Sequence, residues 1–149
     1  PCLAVVQDGR LLQYIETGFS EAPVFYDRLN ERVGLLKLIP GVPSSLAAYM
    51  LEHNDALILE SFGVGGVPSY PGSSFLEVLH QGLDAGKAIV LTTQVHLKHD
   101  LLLLEAYDMT TEAALAKLMW ILAQTREPEQ VAKLFYMPVA HDILRYARG

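Results

Sequence analysis

The chain has 149 residues and a mass of 16.5 kDa, the size of one domain. It is 51% hydrophobic and 19% charged with mean hydropathy +0.24, which excludes a disordered chain, and no apolar run reaches the ~18 residues of a membrane span. Lys plus Arg is 11 and Asp plus Glu is 17, a net charge of −6, and an acidic surface argues against nucleic acid as a partner.

The first residues read as a hairpin. Leu3-Ala4-Val5-Val6 is strand-like, Asp8-Gly9 is a turn signal, and Leu11 to Ile15 forms the second arm. Pro23 and Asn30 bracket a further short extended stretch. From Arg32 the pattern becomes regular. Val33 to Ile39 is an apolar strand stopped by Pro40-Gly41, and Pro43-Ser44-Ser45 opens a helix through His53. Ala56 to Leu59 is a second apolar strand, followed by the loop Ser61-Phe62-Gly63-Val64-Gly65-Gly66-Val67-Pro68. Ser73-Ser74 caps a helix running to about Ala85, with Glu77 placed for a capping box with Ser74. Ala88 to Thr93 is a third strand. A short fourth strand is expected near Leu102–Leu104. Thr110 then caps a strong helix whose apolar face runs from Ala113 to Leu122, with Lys117 and Gln124 off that face. Glu127-Pro128-Glu129 opens a last helix to about Phe135.

Strands buried on both faces read as continuous apolar runs, so the alternation predicts a three-layer α/β fold. In outline it is flavodoxin-like: a parallel sheet of about four strands flanked by helices, with right-handed crossovers.

The chemistry-bearing candidates are few. Gly63-Val64-Gly65-Gly66 follows a parallel strand, where ligands of open α/β sheets bind, but the spacing fits neither a dinucleotide fingerprint nor a P-loop. Thr92-Thr93-Gln94 ends the third strand at the same edge. These side chains suit a polar small molecule or, more plainly, local bonds to the backbone. His96, His99 and Asp100 lack a further metal ligand in sequence and read as solvated. His53, His80 and His141 read as surface or helix-end residues. Glu105, Asp108 and Glu112 bracket a helix start, where anions are favoured. The single cysteine, Cys2, excludes an internal disulfide and has no neighbouring base. No cofactor or metal is implied. The start at Pro1-Cys2-Leu3 suggests a fragment, a processed chain or an excised piece.

Four segments, in order, resemble one family. They are Arg32-Val33-Gly34-Leu35-Leu36-Lys37-Leu38-Ile39-Pro40-Gly41, Leu57 to Pro68, Val90-Leu91-Thr92-Thr93-Gln94-Val95, and Ala106-Tyr107-Asp108-Met109-Thr110-Thr111-Glu112-Ala113 with Lys117 to Leu122. Together they resemble the C-terminal domain of cytoplasmic, type I L-asparaginases over about residues 32–135. The resemblance divides the chain into an interdomain linker, 1–31, and a C-terminal α/β domain, 32–149, without the N-terminal catalytic domain. It implies an amidohydrolase that converts L-asparagine to L-aspartate and ammonia. The family's catalytic T-G-G-T and T-D-T motifs are missing, so no catalytic residue is expected in this chain.

By the same resemblance, this domain contributes dimerisation and closure of a neighbour's active site. The expected partners are its own N-terminal domain and further copies, as a homodimer or dimer of dimers, in the cytoplasm. Gly65 and Gly66 would offer backbone contacts to substrate across the protomer boundary; the family often has Asn at the position of Gly66. Some family members bind L-asparagine at an effector pocket lined by an Arg and a Cys; the matching positions here are Glu60 and Val95, with Thr93 retained, and Glu60 would repel the ligand's carboxylate while offering a partner to its ammonium, so regulation in the same manner is not expected. A polar loop of about twenty residues is missing between Val95 and Glu105, within the usual range of a functional loop. Either the protein lacks that loop or the sequence closes over it. Two other readings are a stand-alone amino-acid-binding or self-association module derived from this domain, and a sugar- or nucleotide-binding domain, for which the phosphate loop is missing.

Overall fold

The fold is that of a computed structural model, which describes residues 4–13, 24–62, 66–68, 70, 72–92, 103–106, 109–139 and 142–143. Two strands, β1 (Ala4–Gln7) and β2 (Arg10–Gln13), pair antiparallel with Gln7 opposite Arg10. The two-residue turn between them has positive φ at both Asp8 and Gly9 (51° and 73°), the geometry that matches strand twist. Each strand reaches one residue nearer the turn than expected, at Gln7 and Arg10, because the pairing centres on that turn; Leu3, Tyr14 and Ile15 of the expected arms lie outside the described residues.

The α/β unit follows as β3 (Val33–Lys37), α1 (Ser44–His53), β4 (Ala56–Glu60), α2 (Phe75–Asp84), β5 (Ala88–Thr92), β6 (Leu104–Glu105), α3 (Thr111–Gln124) and α4 (Pro128–Tyr136). The strands β3-β4-β5-β6 are all parallel and lie in chain order. The fourth strand begins at Leu104, and the third ends at Thr92.

Alternation along each strand sorts side chains to two faces. Leu57 and Leu59 of β4 and Ile89 and Leu91 of β5 join Leu51 of α1 and Phe75 and Leu79 of α2 in one core. Ala56, Ile58 and Val90 pack instead with Leu118 and Ile121 of α3 and Phe135 of α4. Two crossovers that step the same way across a sheet with the same hand must put their helices on one face, and α1 and α2 do share one. Those helices touch closely at Gly82: a Cβ there would lie 2.9 Å from a Leu51 methyl carbon.

Two expectations need correction. Ser74 makes no side-chain cap bond, so the box with Glu77 does not form. Its ψ of 13° takes the hydroxyl away from the extended N-cap geometry, and the Phe75 N–H donates to Ser73 Oγ at 3.3 Å instead. Lys117, expected off the apolar face of α3, is buried in it, with its side chain 3% exposed. The ammonium lies 2.7 Å from Asp142 Oδ2, donates to Met137 O at 2.6 Å and sits 6.0 Å from the centre of the Phe135 ring. Burial of the charge is tolerated because it is paired and hydrogen-bonded.

Candidate functional site

The register aligns the strand ends at the carboxyl edge of the sheet. Lys37 pairs with Glu60, and Glu60 with Thr92, in the backbone ladders of β3, β4 and β5. All three fall on the α3 side by alternation. Lys37 Nζ lies 2.6 Å from Glu60 Oε1, so the Glu60 carboxylate already has a cation beside it. Thr92 Oγ1 donates to Leu59 O at 3.4 Å, and Thr111 Oγ1, at the start of α3, donates to Thr92 Oγ1 at 3.5 Å. Ser61 closes the row. Its N–H and its hydroxyl both reach Thr92 O, at 3.1 and 2.8 Å. The hydroxyls of Ser61 and Thr92 thus bond to backbone carbonyls, the plainer of the two roles open to such residues.

Of the loop after β4, residues 61–62 and 66–68 are described. Gly66 has φ of 95°, a conformation that L side chains rarely adopt, and no atom lies within 4 Å of a Cβ built on it. Glycine is therefore required there by backbone angle rather than crowding, and the space above it is open. Ser73 Oγ donates to Pro68 O at 3.2 Å and anchors the far end of the loop to the start of α2. The starts of α1 and α2 meet at the same edge through Ser44 Oγ and Ser74 Oγ, 2.7 Å apart.

At the third helix start, Thr110 Oγ1 accepts from the Ala113 N–H at 3.2 Å. The Glu112 N–H and the Thr110 hydroxyl hold the Glu112 carboxyl below its usual value. Helices α1, α2 and α3 all follow strands here, so three N-terminal dipole ends converge on one edge and favour polar or anionic groups.

Of the residues singled out from sequence, the structure brings Glu60 and Thr92 to this edge and sets Gly66 in the loop that follows β4. Gly65 and Thr93 lie outside the described residues, as do His96, His99, Asp100, Asp108, His141 and Cys2. His53 and His80 are exposed on α1 and α2. His53 stacks on Tyr49, with ring centres 4.1 Å apart. Among the described residues no group of three His, Cys, Asp or Glu side chains could hold a metal ion. Lys37, Ser61 and Thr111 do not stand out in the sequence. Strand-end position alone marks Lys37, and the offset between strands is needed to set it against Glu60.

A four-stranded parallel sheet flanked by helices defines an open α/β domain, a class whose ligands bind beyond the carboxyl ends of the strands. The profile of the Glutaminase/Asparaginase C-terminal domain matches residues 32–135, and the chain belongs to that family. It is 34% identical over 134 residues to an L-asparaginase of Thermococcus kodakarensis, covering 81% of this chain and 40% of the relative. It is 35% identical over 128 residues to a component of the glutamyl-tRNA(Gln) amidotransferase of Aeropyrum pernix, covering 76% and 29%. The solved thermostable L-asparaginase of Thermococcus kodakarensis superposes with a TM-score of 0.77 at 28% identity, over 97% of this chain and 48% of that one. The chain thus spans less than half the length of these relatives.

The alignments also contain a gap. The 134 aligned positions use 81% of 149 residues, about 121, so the archaeal asparaginase carries about 13 residues (134 − 121) with no counterpart here. The same arithmetic gives about 15 (128 − 113) for the Aeropyrum pernix protein. Among the described residues, no helix is long and apolar enough to cross a membrane.

Proposed function

We propose that this chain is the C-terminal domain of a cytoplasmic L-asparaginase, which supports hydrolysis of L-asparagine to L-aspartate and ammonia without supplying the nucleophile. The observation that carries this reading is the family match over residues 32–135 on a sheet whose carboxyl edge bears an open glycine loop. The domain acts through assembly. It joins an N-terminal catalytic domain and a second copy, and the backbone at Gly65 and Gly66 closes over substrate held by the neighbour. Gly66 has no side chain to offer, so its part is to leave room and present backbone N–H groups. A shortened loop between Val95 and Glu105 would account for the 13 to 15 positions that the two relatives carry beyond this chain.

Glu60 and Thr93 form the effector reading. An amino acid would place its ammonium on Glu60 and its carboxylate on Lys37, whose opposite charges stand side by side. A second reading is favoured by the 35% identity to the amidotransferase component: the domain would then serve an enzyme that releases amide nitrogen for a glutamyl-tRNA(Gln) amidotransferase.

The deciding experiment grafts residues 32–149 onto the Thermococcus kodakarensis enzyme in place of its own C-terminal domain. The isolated chain is expected to release no ammonia from L-asparagine, and the chimaera to release it. Ammonia release by the isolated chain would overturn the assignment of catalysis to another domain.

A further inference from the structure

Residues 24–32 run ahead of β3 without regular structure and lie against α3. Contact with that helix is slight. The Tyr26 ring meets the Trp120 ring edge-on, with centres 5.1 Å apart, and the Asn30 N–H donates to Met119 O at 2.9 Å. The other large apolar side chains of this segment face water: Phe25 is 88% exposed, and Val24 and Leu29 are exposed as well.

What fixes the segment is a carboxylate on another element. Asp55 sits just before β4 with its side chain 12% exposed. Its Oδ2 accepts from Asn30 Nδ2 at 3.0 Å and from the Arg126 guanidinium at 2.8 Å, while Arg32 Nε lies 3.7 Å from Oδ1. Asn30 is held a third time, since its Oδ1 accepts from the Arg32 N–H at 2.8 Å. Meanwhile Trp120 Nε1 is buried with no hydrogen-bond partner. A buried indole N–H without an acceptor is a cost to the closed arrangement, and Tyr26 is the side chain of the segment packed on that indole.

We propose that residues 24–30 form a strap latched by Asp55, which opens from α3 as a unit while the α/β domain stays folded. Two opposed features make it two-state. The charge-assisted bond from Asn30 to Asp55, whose carboxylate Arg126 and Arg32 hold in place, keeps it shut, and the unsatisfied Trp120 Nε1 favours release. The latch works in the same way whichever reaction the protein serves.

Trp120 is the single tryptophan, so its emission reports the strap and little else. In the full 149-residue chain, Asp55→Asn keeps the shape and removes the charge. The expected result is a red-shifted emission and an acrylamide quenching constant raised at least about two-fold, with far-UV circular dichroism unchanged at about 25 °C. Phe25→Ser, on the outward side, should leave emission as it is. Unchanged quenching in the folded Asp55→Asn chain would overturn the proposal.

Should that variant fail to fold, amide hydrogen exchange decides, in wild type and in the milder Arg126→Gln. The Asn30 amide should exchange about 100-fold or more faster than that of Ile58, and faster again in Arg126→Gln with Ile58 unmoved. Equal exchange at the two sites, or no response of Asn30 to Arg126→Gln, overturns the latch.

Discussion

Lys117 carries a positive charge on the buried side of α3, and its partner Asp142 comes from beyond α4. Asp142 Oδ2 takes the ion pair without an aligned hydrogen bond, and its Oδ1 accepts from the Val139 N–H at 2.7 Å. Removing the anion strands a buried ammonium, so Asp142→Ala should cost about 3 kcal/mol in urea denaturation. Lys117→Met should cost less, about 1–2 kcal/mol, because the stem is replaced in kind and Asp142 still accepts from the Val139 N–H. Equal losses would show that the pair acts only through packing.

Asp55 invites a pH test. The Asn30 amide, then the charges of Arg126, Arg32 and Lys87, outweigh burial and hold its carboxyl below the ordinary value. A depressed folded value means that the stabilisation is complete above the unfolded value and disappears as pH falls through the folded one. The stability gap between wild type and Asp55→Asn should therefore be constant at neutral pH and shrink below about pH 4, the ordinary Asp range. A gap that holds its size into acid would count against this electrostatic account.

Among the elements, the helix starts differ in a way that can be measured. Thr110 has extended backbone and a real cap bond, so Thr110→Ala should lower stability by about 1 kcal/mol. Ser74 makes no cap bond, and Ser74→Ala should cost only about a few tenths. A thermal melt of the two variants side by side separates the cases. The sequence motif Ser-x-x-Glu is present at Ser74, but a motif cannot report a ψ of 13°.

The same limit explains Lys117. It lies three residues after Ala114 and four before Ile121, on the buried stripe, although the sequence reading sets it off the apolar face. Its charge argued for exposure, and only Asp142, 25 positions on, makes the burial tolerable. By contrast, β4 and β5 were legible because both faces are covered, which leaves an uninterrupted apolar run. Glu60 and Gly66 were legible as strand-end and loop residues. The Lys37–Glu60 pair depends on register between strands, which no single segment encodes.

At the scale of the whole molecule, the hairpin of β1 and β2 pairs with itself and leaves Val6 and Leu11 largely exposed. A lone two-stranded hairpin is marginal in water, so deleting residues 1–13 should change the unfolding free energy by less than about 0.5 kcal/mol. A larger loss would mean that the hairpin braces the α/β domain. The two cores on opposite faces of the sheet carry the stability instead.

Because the strands lie in chain order, each one joins the growing edge of what has already been made. On the ribosome, β3, α1, β4, α2 and β5 can assemble the Leu57–Phe75 side as soon as residue 92 has emerged, through short-range contacts alone. The opposite surface, with Ala56, Ile58 and Val90, then stays bare until α3 and α4 arrive some forty residues later, at Tyr136 (136 − 92 = 44). Throughout that interval the nascent chain presents an apolar sheet face to its surroundings, a temporary stickiness that a chaperone or a slowed C-terminal stretch of translation would feel first.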